Sequence, residues 1–81
     1  MNNSEKVIDI LKELSGKDAV SETDRLIDDL FLDSLQMVTL LIDIEDHFGI
    51  MLDESDMNPF NLITVNDIHT LLKKYGVFSG E

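Results

Sequence analysis

The chain has no cysteine, no tryptophan, a single proline and only four glycines in its 81 residues. Without cysteine there is no disulfide to staple a small domain and no thiolate to hold zinc. Its two histidines, His47 and His69, stand in no H-E-x-x-H segment, so the sequence offers no recognisable zinc site. Cations are scarce: 6 Lys and Arg face 17 Asp and Glu, for a net charge of −11. That balance argues against nucleic acid and anionic membrane surfaces, and favours partners with basic patches. No apolar run approaches the length of a membrane span. The opening Met1-Asn2-Asn3-Ser4-Glu5-Lys6 lacks the basic start and apolar run of a signal peptide. The expectation is a cytoplasmic monomer with one domain over residues 1–81, its core at about 4–76 and a frayed tail at 77–81.

What the chain does have is helical patterning. Ser4 is placed to cap a first helix, on which Val7, Ile10, Leu11 and Leu14 share one face before Ser15-Gly16 ends it. From Lys17 to Asp33 the pattern weakens. Ser21, Thr23 and Asp24 form turns, while Leu26, Ile27, Leu30, Phe31 and Leu32 are too apolar for a free loop. This segment reads as a long ordered loop packed down by those side chains.

Asp33 caps a second helix that runs to about Phe48 and closes at Gly49. At roughly 100° per residue, Met37, Leu40, Leu41, Ile44 and Phe48 form one apolar arc, and Leu35, Val38 and Ile42 form another. Together they are wider than one surface helix needs for its core. Pro59 can open a short helix in the next loop, with Met51 and Met57 as loop anchors. Thr64 caps a last helix, with Asp67 in a variant of the capping box. Val65, Ile68, Leu71, Leu72 and Tyr75 line its apolar face, and Gly76 stops it. The fold class is all-α: three main helices plus one short helix, a small four-helix bundle with a long loop between the first two. Phe48–Leu52 is the only strand candidate and is too isolated to form a sheet.

Ser34, in Asp33-Ser34-Leu35, sits where a helix mouth favours an anion. A serine hydrolase does not fit. Leu32 and Gln36 occupy the glycine positions of G-x-S-x-G, and His47 lies more than three turns further along the same helix. His47 and His69 read as surface or flank residues. The acidic run Asp53-Glu54-Ser55-Asp56-Met57-Asn58 starts like a calcium loop, but Met57 takes the fifth ligand position and Asn58 replaces the glycine of the sharp turn. No metal site is expected. From Asp18 to Asp56, Arg25 is the only Lys or Arg among twelve carboxylates, which marks either a solvated surface or a docking surface.

The segment Asp28-Asp29-Leu30-Phe31-Leu32-Asp33-Ser34-Leu35 resembles the Asp-Leu-Gly-x-Asp-Ser-Leu signature of acyl and peptidyl carrier proteins. Val38, Leu41, Ile44, Glu45, Phe48, Gly49 and Ile50 resemble its continuation, and Thr64-Val65-Asn66-Asp67-Ile68 resembles the start of the family's last helix. The resemblance implies a carrier rather than an enzyme. A phosphopantetheinyl transferase would move the 4'-phosphopantetheine arm of coenzyme A onto Ser34, with Asp33 recognised by the transferase and helping to hold its magnesium. The arm would then carry an acyl, aminoacyl or peptidyl cargo as a thioester to loading and processing enzymes with basic patches. Leu35, Val38 and Ile42, with the acidic Asp43, Glu45 and Asp46, are the expected docking residues, unless the loop through Leu26 and Phe31 covers that strip. The chain departs from the fatty-acid pattern at Phe31 (a glycine in the family), at Gln36 and Thr39 (often acidic) and in the loop 56–61. These departures point to a specialised pathway. The alternative is an unmodified carrier-like interaction module serving as a docking subunit.

Overall fold

The computed structural model describes residues 3–77, and side chains from Glu5 onward. Three helices order the chain: α1 (Asn3–Ser15), α2 (Ser34–Phe48) and α3 (Val65–Lys74). Helix α1 already includes Ser4, one residue ahead of the expected cap. The Ser4 side chain and the tail 78–81 lie outside what is described. Val77, expected to fray, instead packs on the core, and its N–H donates to the Leu72 carbonyl at 3.1 Å.

Helix α2 begins and ends as its sequence dictates. Asp33 accepts the Gln36 N–H, and Gln36 accepts the Asp33 N–H in return, so two otherwise unpaired donors are satisfied. At the other end Gly49 takes φ +63 and donates to the Glu45 carbonyl, a left-handed cap that glycine adopts without steric penalty. Helix α3 repeats the N-terminal device with Thr64 and Asp67.

The core is one apolar cluster. Val7, Ile10 and Leu11 of α1 meet Met37, Leu40, Leu41 and Ile44 of α2 and Val65, Ile68 and Leu72 of α3. The loop 16–33 adds Leu26, Leu30 and Leu32, all buried. It is strapped to the start of α3 by backbone bonds: Leu26 N–H to the Ile63 carbonyl (2.8 Å), Val65 N–H to Asp24 (3.0 Å) and Asn66 N–H to Glu22 (3.0 Å). An isolated bridge pairs Arg25 with Thr64, and no strand occurs among the described residues.

The structure corrects four expectations from the sequence. The short fourth helix is not α-helical: the loop after α2 contains two 3-10 turns, Glu54–Asp56 and Pro59–Asn61. Each opens on an Asx side chain and closes after one turn, through Met57 N–H to the Glu54 carbonyl and Leu62 N–H to the Pro59 carbonyl. Ile27 and Phe31 face outward, since the turn that buries Leu26, Leu30 and Leu32 leaves the residues between them outside. Met51 is exposed rather than anchored. His69 is buried, because the strapped loop brings Glu22 over it, with Nδ1 3.9 Å from a Glu22 carboxylate oxygen.

Candidate functional site

The turn before α2 decides what surrounds Ser34. Arg25 N–H donates to the Asp29 carboxylate at 2.7 Å. The amides of Asp29 and Leu30 return to the Arg25 carbonyl, that of Phe31 to Ile27 (3.1 Å) and that of Leu32 to Leu26 (3.1 Å). The Phe31 bond is the one that closes a left-handed cap, and Phe31 indeed sits at φ +58, the only non-glycine residue with positive φ among those described. For a bulky L-residue that region costs about 1–2 kcal/mol. The conformation lets Leu30 and Leu32 both enter the core and brings Asp33 to the helix mouth. Phe31 stays 71% exposed, with the Lys17 ammonium 5.0 Å from its ring centroid.

Ser34 is then the first residue of α2, and its side chain is exposed. Asp33 takes the Gln36 amide on its carboxylate (2.7 Å) and the Met37 amide on its carbonyl (3.0 Å). The Ser34 and Leu35 amides stay at the helix mouth beside the hydroxyl, at the positive end of the dipole. A phosphodiester on the Ser34 oxygen would meet that end and open solvent, so the residues present fit the group.

Gln36 does more than its sequence position suggested. Its Oε1 completes the capping box (3.0 Å), and its Nε2 donates to the Leu14 carbonyl at 2.9 Å. One side chain thus ties the end of α1 to the start of α2. The signal was present as Asp33-x-x-Gln36, the capping-box spacing, whereas the bond to Leu14 spans 22 residues and has no local signature.

The second apolar arc of α2 is uncovered: Leu35 is 73% exposed, Val38 41% and Ile42 48%. The loop does not cover it. Beyond this arc, Ile27, Phe60 and Ile63 are also exposed, and they line a shallow groove with Arg25, Asp28 and Leu62. Of the expected acidic residues, Asp46 is exposed and Asp43 half-buried. Glu45 has a structural role, since its carboxylate accepts the Leu52 N–H at 2.9 Å and holds the chain after Gly49.

Away from Ser34, Tyr75 closes the loop 50–63 onto α3. Its hydroxyl accepts the Asp53 N–H (2.8 Å) and donates to Asp56 (2.5 Å), and Lys74 reaches the same carboxylate at 2.9 Å. The Tyr75 hydrogen bond, then Lys74, holds the Asp56 carboxyl below its ordinary range. The same bonds push the Tyr75 phenol and the Lys74 ammonium up. Among the described residues no group of three His, Cys, Asp or Glu side chains is placed to hold a metal ion, and no helix is long and apolar enough to cross a membrane.

Comparison with known proteins gives a consistent answer. The family model described as a phosphopantetheine attachment site matches residues 5–72. An acyl carrier protein of Thermotoga maritima is 41% identical over 71 residues, 85% of each chain. A D-alanyl carrier protein of Enterococcus faecalis is 38% identical over 60 residues, 72% of this chain and 77% of that protein. A solved Mycobacterium tuberculosis structure, described as an acyl carrier protein, superposes with a TM-score of 0.78 at 27% identity, covering 89% of this chain and 96% of that one.

Proposed function

This chain belongs to the phosphopantetheine-attachment family of carrier proteins, and on that premise we propose that Ser34 bears the 4'-phosphopantetheine arm. The family carries cargo and performs no catalysis of its own. The observation that supports Ser34 is its exposed hydroxyl at the first position of α2, flanked by an aspartate whose carboxylate is already fixed by the cap. When bound, the arm supplies a terminal thiol that holds an acyl or aminoacyl cargo as a thioester.

In loading, the Ser34 oxygen forms a phosphodiester bond as the pyrophosphate bond of coenzyme A breaks. The adenosine bisphosphate leaves with the electron pair, and the hydroxyl proton passes to a base of the transferase. The carrier's residues position rather than catalyse. Asp33 fixes the helix mouth and offers a carboxylate edge to the transferase and its magnesium. Leu35, Val38 and Ile42 offer an apolar strip for the loading and processing enzymes, with Asp43, Glu45 and Asp46 as acidic neighbours for their basic patches. One carrier unit spans the chain, acts as a monomer in the cytoplasm, and serves a specialised pathway. Phe31, Gln36 and Thr39 depart from the fatty-acid pattern, and a D-alanyl carrier is among the relatives.

The test is intact mass after incubation with coenzyme A, magnesium and a broad-specificity phosphopantetheinyl transferase. The wild type should gain one arm, mapped to Ser34, and Ser34→Ala should stay folded and unmodified. An unchanged wild-type mass, under conditions that modify a control carrier, overturns the reading in favour of an unmodified docking module.

A further inference from the structure

We infer that Phe31 is the anchor by which the transferase acting on Ser34 grips this carrier, its ring seated in an apolar socket on a cationic enzyme face. The inference rests on Ser34 being the attachment residue. Its starting point is a mismatch between conformation and environment. Position 31 needs φ +58, which glycine adopts freely and a Cβ crowds. Yet the side chain there is a phenylalanine, 71% exposed, so burial in the fold does not offset the strain. Its aromatic contact is the Lys17 ammonium at 5.0 Å, a weak interaction at an exposed site. In the free carrier an apolar ring at a strained backbone position facing water has no use. Strain of this kind, observed rather than assumed, points to a functional surface.

Geometry says which enzyme uses it. Phe31 and Ser34 are three residues apart, at most about 10 Å between Cα atoms. An enzyme that brings coenzyme A to the Ser34 oxygen must cover the surface around it. A footprint of ordinary size, about 800 Å² per partner, has a radius of roughly 16 Å. Phe31 therefore lies inside a contact of that size centred on Ser34, and a buried aromatic within such a contact carries a large share of the affinity. The burial of Leu30 and Leu32 fixes the turn, so the ring is presented without a large ordering loss. Asp28, Asp29 and Asp33 are exposed carboxylates within three residues of Phe31 and outnumber the one ammonium on its ring, Lys17, which favours a cationic rim around the socket.

The experiment compares the wild type with Phe31→Gly and Phe31→Tyr, measuring melting temperature and steady-state arm transfer by a broad-specificity transferase with coenzyme A and magnesium. Phe31→Gly should melt higher, because the strain is removed, yet raise KM for the carrier by about fivefold or more with kcat within about twofold. Phe31→Tyr should match the wild type in both. Equilibrium binding in a Ser34→Ala background, which cannot react, should show the same rise in Kd for Phe31→Gly. An unchanged KM and Kd, a fall in kcat at constant KM, or a lower melting temperature for Phe31→Gly overturns the inference. None of these touches the attachment reading, which fails if the wild type accepts no arm or carries it elsewhere than on Ser34.

Discussion

Replacing Gln36 by glutamate should separate the two roles of that side chain. A glutamate keeps an oxygen for the Asp33 N–H, so the capping box survives, and capping-box sequences often carry glutamate at this position. What it loses is the donor to the Leu14 carbonyl, a part-buried bond of 2.9 Å between α1 and α2. Stranding a partly buried carbonyl opposite a carboxylate costs about 1–3 kcal/mol. The added negative charge in the first turn of α2 returns about 0.3–1 kcal/mol through the helix dipole. At the middle of both ranges the loss wins by about 1.4 kcal/mol, or roughly 5–11 °C in melting temperature for a domain of this size. The pH dependence provides the sharper check. Protonated, the introduced carboxyl can donate to Leu14 again, so its folded pKa lies above the unfolded value near 4.3. A group with a raised folded pKa contributes its stability fully below the unfolded pKa and loses it as pH rises through the folded one. The gap between wild type and variant should therefore be wide at pH 7 and narrow towards about pH 4. Thermal melts by circular dichroism at several pH values measure it. A variant as stable as wild type at pH 7, or a gap that does not close in acid, would refute the reasoning.

Tyr75→Phe should lower the melting temperature at neutral pH and flatten its dependence on pH at both ends. Asp56 has a depressed folded pKa, so its contribution is present above the ordinary carboxylate value near 4 and fades as pH falls through the lowered one; Tyr75 and Lys74 are raised, so theirs is lost as pH rises beyond about 10. A variant with the same acid and alkaline limits as wild type would show that the cluster holds nothing. Leu40→Ala, which empties a fully buried site on α2, should cost about 2–5 kcal/mol by denaturant titration. Val38→Asp should leave the circular dichroism spectrum and melting temperature close to wild type while slowing arm loading, because Val38 is 41% exposed on the uncovered arc. Unfolding of Val38→Asp would place the strip in the core instead.

Much of the fold was legible because helices announce themselves locally. Asp33, Gly49, Thr64 and Gly76 mark ends through chemistry within a few residues, and the two arcs of α2 follow from 100° per residue, with Met37, Leu40, Leu41 and Ile44 buried as the spacing required. What escaped the sequence is non-local. His69 is buried because Glu22, 47 positions earlier, is strapped across it. Tyr75 looked like one more apolar contact of α3, whereas its hydroxyl serves Asp53 and Asp56 across about twenty residues. Glu45 read only as part of an acidic rim, and its carboxylate also holds Leu52, a bond set by how the chain turns after Gly49. Phe31 is the instructive miss. Apolar residues in a loop are ordinarily read as packed, and only the departure from a glycine hinted at a left-handed turn that faces this one outward.

The same turn explains how so small a chain keeps fold and contact surface apart. Alternation around Phe31 sends Leu30 and Leu32 inward, so the loop before α2 contributes core without lying over the helix face beside it. The core arc of α2 packs on α1 and the Pro59–Asn61 turn within the common apolar cluster, while Leu35, Val38 and Ile42 remain open on the same helix as Ser34. A single strained residue thus divides the apolar surface of this chain between holding the bundle together and meeting a partner, which is why substitutions at Leu40 and at Val38, two positions apart on one helix, are expected to fail in different assays.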